Sequence, residues 1–96
     1  MSYISVGELA KILSQNGIDI GRNRLYRELR ETGYLMKDRN EPTQMSMNKG
    51  LFYIEKKVDR FGRIHVVTTT KVTPRGQLYF VNLFLNKYSG HHQLAI

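Results

Sequence analysis

Two short amphipathic segments near the N-terminus, each closed by a glycine, constrain this chain more than any other feature of it. Ser5 and Glu8 stand at capping-box spacing. There the hydroxyl accepts from one orphan amide at the head of a helix and the carboxylate reaches back to another. Val6, Leu9, Ala10 and Leu13 then recur at i, i+3, i+4 and i+7, which gathers them on one face of a helix over 6–16. Gly17 supplies a left-handed stop. After Ile18-Asp19-Ile20-Gly21 a second helix is expected over 22–32, with Leu25 and Leu29 facing the core and Gly33 suited to positive φ at its end. Two such helices joined by a glycine-containing turn, the first carrying the small Ala10 inside, predict a helix-turn-helix. The connector is a few residues longer than the tightest turns, so the crossing angle stays open.

Tyr34-Leu35-Met36 fits a short strand, the polar stretch 37–44 with Pro42 a loop, and Met45 to Lys49 one helical turn before Gly50. β-branched, aromatic and apolar residues dominate 51–59 and 64–73, with Gly62 between them, which is a hairpin pattern. With 61–63 as the loop, Phe52, Ile54 and Val58 share a face with Ile64, Val66 and Val72. Thr73 as N-cap and Pro74 at the first helical position open a third helix, expected to reach about Tyr88. Residues 89–96 lack periodicity and read as a flexible tail behind one domain over 1–88. The expected fold is α+β, a winged helix-turn-helix of two N-terminal helices, a β-hairpin wing and a C-terminal helix.

At 96 residues and 41% apolar content there is enough for one core and not two. Fifteen Lys and Arg against eight Asp and Glu give a formal charge of +7, and every acidic residue lies at or before Asp59. Such a surface attracts polyanions, nucleic acid first and acidic membrane second, with ordinary basic solubility as the alternative. The absence of cysteine excludes disulfides and thiolate metal sites and suits a reducing cytoplasm. No apolar run approaches the roughly 20 residues of a membrane span, and the N-terminus has no signal-peptide pattern. His65, His91 and His92 have no other ligand type at metal-binding spacing, so no metal is assigned. There is no glycine-rich phosphate loop, nucleophile elbow or carboxylate pair, which argues for no cofactor and against an enzyme.

On the second helix, a turn of about 100° per residue puts Asn23, Arg27 and Arg30 in one sector with Tyr26 beside it and the leucines facing away. Arg22 and Arg24 add charge, giving four arginines from 22 to 30 against the single acid Glu28. Arginine pairs bidentately with guanine and asparagine with adenine, and further arginines set the register on phosphate. The alternative is a solvated face, with Arg24–Glu28 and Arg27–Glu31 as i, i+4 ion pairs. Arg60 and Arg63 at the hairpin tip, with Lys56 and Lys57 behind them, suit a wing touching backbone or minor groove. Edge-strand protection by lysine is the alternative there. On the third helix Leu78, Val81, Phe84, Leu85 and Tyr88 cover one side. Phe80 and Leu83 widen that arc and Tyr79 stands nearly opposite it, so Tyr79, Phe80 and Leu83 form a candidate surface for another protein or a second copy.

The run Gly21-Arg22-Asn23-Arg24-Leu25-Tyr26-Arg27-Glu28-Leu29-Arg30-Glu31-Thr32-Gly33-Tyr34-Leu35 resembles the C-terminal domain of bacteriophage antirepressor proteins, the KilA C-terminal or ANT type. Pro42-Thr43-Gln44, Gly50-Leu51-Phe52 and Val72-Thr73-Pro74-Arg75-Gly76-Gln77 with Tyr79-Phe80 are similar to its later blocks, in order. The resemblance spans roughly residues 6 to 86. It implies a winged-helix-like domain, normally at the C-terminus of a larger phage protein that relieves repression and favours lytic induction in the host bacterial cytoplasm. The partners expected are double-stranded DNA, from the basic face of the second helix, and a phage repressor or, in a homodimer, a second copy, from the apolar arc of the third. With almost nothing ahead of the domain, the chain reads as an excised or stand-alone version.

Overall fold

Ser5 caps the first helix as its spacing from Glu8 requires: its Oγ accepts from the Glu8 amide at 3.1 Å, and its own amide donates to Glu8 Oε1 at 3.1 Å. The computed structural model describes residues 2–58 and 66–94, with side chains described over 2–57 and 68–88. The elements in chain order are β1 (Ile4–Ser5), α1 (Val6–Gln15), α2 (Arg22–Glu31), α3 (Gln44–Asn48), β2 (Phe52–Val58), β3 (Val66–Val72) and α4 (Pro74–Leu94). The architecture is therefore α+β, with four helices and a three-stranded antiparallel sheet among the described residues.

Gly17 and Gly33 end α1 and α2 at φ 85° and 84°, conformations that a Cβ disfavours. Behind Gly17 the Ile18 amide donates to the Leu13 carbonyl at 2.9 Å, and Ile18 and Ile20 are both buried. The connector between α1 and α2 is thus pinned to the core at two points. Val6, Leu9 and Leu13 from α1 meet Leu25 and Leu29 from α2, all fully buried. Each such side chain contributes about 1.5–3 kcal/mol by leaving water.

The sheet order is β1-β3-β2. Phe52 pairs with Val72, Ile54 with Thr70 and Val58 with Val66, the register expected for a loop at 61–63, which itself lies outside the described residues. β1 was not expected: it pairs Ile4 with Val72 and Ser5 with Lys71, making β3 the central strand. A two-residue strand is too short to show alternation.

The strand anticipated at 34–36 is reduced to one bridge, Leu35 with Pro42. The chain there is instead stapled to α3. Thr43 Oγ1 donates to the Gly33 carbonyl at 2.7 Å and the buried Ser46 Oγ to the Tyr34 carbonyl at 2.6 Å, so the start of α3 caps the backbone leaving α2.

Thr73 and Pro74 open α4 as expected, with the Gly76 amide donating to Thr73 Oγ1 at 2.9 Å. A Cβ on Gly76 would sit 2.1 Å from the Leu51 carbonyl oxygen, so the helix docks backbone to backbone there. The helix continues to Leu94 and does not end near Tyr88. Nothing after Tyr88 breaks it, since there is no proline and Gly90 disfavours a helix by only about 1 kcal/mol.

The face that α4 buries differs from the one its apolar residues predict. Phe80, assigned above to an outer surface, is fully buried at the centre of the core, whereas Leu78, assigned to the core, is 60% exposed. Tyr79 and Leu83 are half-buried against the same core, and the hydroxyls of Tyr79 and Tyr34 share a hydrogen bond of 2.6 Å. Docking at Gly76 and the buried Gln77, whose Nε2 donates to the Ser2 carbonyl at 2.7 Å, rotates the helix away from the orientation its leucines suggest.

Candidate nucleic-acid interface

Because Leu25 and Leu29 anchor α2, the opposite side of that helix faces solvent and carries Asn23 and Arg27, both exposed. Arg30 lies half-buried beside them, and its Nη1 donates to Asn40 Oδ1 at 2.7 Å. Arg22 and Tyr26 occupy one flank, the guanidinium carbon 5.8 Å from the ring centroid. They border a cleft of about 360 Å³ lined also by Ser5, Gly7, Asn40, Thr68, Thr69 and Thr70, so α2 and β3 share one concave surface.

Arg24 is not part of that surface. It lies on the other flank, 5.9 Å from the Tyr88 ring centroid of α4. Glu28 faces the same way: the Tyr88 hydroxyl donates to its Oε1, and Lys87 Nζ lies 3.6 Å from the same oxygen. Burial, and then this hydrogen bond to Glu28, raise the Tyr88 hydroxyl above its usual range. Neither i, i+4 ion pair considered for α2 forms. The ion pairs among the described residues are Arg39 with Asp38 and Glu41, Lys57 with Glu55, and Lys87 with Glu28. Arg27 therefore presents its charge without a carboxylate partner among the described residues.

The hairpin divides its two lysines. Lys56 pairs with Thr68 in the register and shares the sheet face of Phe52, Ile54 and Thr70, the face that borders the cleft. Lys57 points to the opposite face, 3.4 Å from Glu55. Arg60 and Arg63 lie outside the described residues.

The family model described as the phage antirepressor protein KilAC domain matches residues 1–87. The chain belongs to that family. No curated protein and no solved structure matches it. The KilAC match contains the whole of α1, α2 and the sheet, and the larger part of α4. Among the described residues of this KilAC domain, no helix is long and apolar enough to cross a membrane, and no group of three His, Asp or Glu could hold a metal ion.

The sequence marks 37–44 as a loop but gives it no place in the site. Lys37, Asp38, Arg39 and Asn40 fold back beside Arg30, and Asn40 is held from both sides, its side chain by Arg30 and its carbonyl by Thr70 Oγ1 at 2.6 Å. The mixed signs of Lys-Asp-Arg-Asn hid this, because only the fold shows which charges are already engaged. Arg39 lies 3.3 Å from Asp38 and 3.7 Å from Glu41. A hydrogen bond from Arg39 holds the Asp38 carboxyl below its ordinary range.

Proposed function

We propose that this KilAC domain binds double-stranded DNA as a winged helix-turn-helix, with α2 in the major groove and the β2–β3 hairpin as the wing. The observation that carries the reading is the solvent face of α2, where Asn23 and Arg27 stand exposed and Arg27 has no carboxylate partner among the described residues. Arg27 and Asn23 match the donor and acceptor patterns of guanine and adenine edges. Arg22, Arg30 and Lys56 border them with charge for phosphate, and Arg60 and Arg63 extend the hairpin's contribution. The domain acts by binding, not catalysis, and serves the lysis–lysogeny switch of a phage in the host cytoplasm.

Capture of a phage repressor, or of a second copy, through α4 has less support. Phe80 is core, Tyr79 and Leu83 are half covered, and Leu78 alone of the described α4 side chains is a large apolar group left exposed. Single exposed apolar residues are ordinary on protein surfaces.

A salt series of binding to a random duplex tests the proposal. DNA binding weakens steeply and linearly in log–log form as phosphate counterions are displaced. Absence of binding at low salt overturns it. Salt-insensitive binding of a protein partner in its place favours the capture reading.

A further inference from the structure

The loop at 37–40 sets a further cation, Lys37, beside Arg27 and Arg30 of α2. Two concavities lie side by side on the outer face of α2. One, of about 360 Å³, is lined by Arg27, Arg30, Glu31 and Lys37. The other, of about 370 Å³, is lined by Arg30, Lys37, Asp38, Arg39 and Asn40. Arg30 and Lys37 form the ridge they share.

The charges on this surface are not equivalent. Arg39 is engaged by Asp38 and Glu41, which cancels its attraction for an outside anion. Arg30 is hydrogen-bonded to the neutral amide of Asn40, which sets its position, and it has no carboxylate within ion-pair distance among the described residues, although Glu31 and Asp38 line the same concavities. Lys37 is exposed and has no carboxylate within ion-pair distance among the described residues. Asn40 in turn accepts from Thr70 of β3, so the loop is fastened to helix and sheet at once and presents Lys37 from a fixed base.

We infer that Lys37 adds a third contact to the duplex, joining Arg30 of α2 in a grip on the phosphate backbone flanking the groove that α2 enters. The inference rests on the DNA-binding reading above and adds to it a site and a role. A phosphodiester is the occupant that fits, because it is an anion offering acceptor oxygens only, and both side chains offer donors only. A contact to backbone carries no base preference, so it contributes affinity and salt dependence without changing the sequence read.

The test compares wild type with Lys37→Gln and Lys37→Arg on a panel of duplexes of differing sequence, each titrated over a range of salt. Lys37 is exposed, so both variants keep the fold, which a thermal melt verifies. The expected result for Lys37→Gln is a severalfold loss of affinity, equal on every duplex, with the log–log salt slope reduced in magnitude by about 1. Lys37→Arg keeps the wild-type slope. Wild type that binds while Lys37→Gln keeps both affinity and slope overturns this inference and leaves the DNA-binding reading standing. A loss confined to some sequences overturns it too, because it would assign Lys37 to a base edge. Wild type that binds no duplex at low salt removes both readings.

Discussion

The hydroxyl of Tyr88 donates to the carboxylate of Glu28, joining the far part of α4 to the middle of α2. Glu28 is only 13% exposed at its side chain, and its second oxygen is buried with no hydrogen-bond partner. Removing the hydroxyl leaves the charged acceptor worse satisfied, which costs about 1–3 kcal/mol. Tyr88→Phe is therefore expected to lower Tm by ~4–8 °C for each kcal/mol lost. An unchanged Tm in calorimetry would show the pair to be idle.

Arg27→Ala removes the exposed arginine opposite Leu25 and Leu29. If Arg27 reads a base edge, binding should weaken by about 1–3 kcal/mol, with preference relaxed at a single position of the site. Competition between duplexes that differ at one base pair measures this directly. An even loss on all sequences would move Arg27 from base reading to the backbone.

At Gly76 two effects oppose each other. Alanine is the better helix former by about 1 kcal/mol, yet its Cβ would lie 2.1 Å from the Leu51 carbonyl oxygen, an immovable piece of backbone. Overpacking of this kind costs about 1–3 kcal/mol or more, so the steric effect wins and Gly76→Ala destabilises. Urea titration should show a lower midpoint. A raised midpoint would mean that α4 docks less closely.

Alkaline pH acts on the tyrosine pair. Burial, and then the hydrogen bond to Tyr79, push Tyr34 up to about 12 from an ordinary value of 10.0. The folded state therefore holds its proton more tightly than the unfolded state. The resulting stability is whole below about pH 10 and is lost as pH rises toward about 12. Tyr34→Phe should flatten that part of the stability–pH curve and remove a late-titrating component from the tyrosinate absorbance of wild type. A curve of the same shape in Tyr34→Phe refutes the assignment.

What was legible in the sequence was local. The capping box at Ser5 and Glu8, the stops at Gly17 and Gly33, and the Thr73-Pro74 start each depend on residues a turn apart, and each is present. The hairpin register was legible because a turn expected to centre on Gly62 sets Phe52 opposite Val72 and Val58 opposite Val66. The orientation of α4 was not, because its buried stripe contains Gly76 and Gln77 as well as Phe80 and Phe84, and apolarity alone gives a glycine and a glutamine no weight. The basic face of α2 was visible as composition. The diversion of Arg24 and Glu28 toward Tyr88 and the anchoring of Asn40 needed contacts separated by 60 and 30 positions in the chain.

Thr73 uses its backbone and side chain on both neighbours at once. Its amide donates to the Leu51 carbonyl at 3.1 Å, and its hydroxyl donates to the Gly50 carbonyl at 2.6 Å while accepting from the Gly76 amide. The first turn of α4 therefore cannot fray without unfastening the root of the hairpin. In hydrogen exchange the amides of Thr73, Gly76 and Gln77 should open as one cooperative unit with the base of the sheet, and with the kinetics of that unit, not those of a helix end.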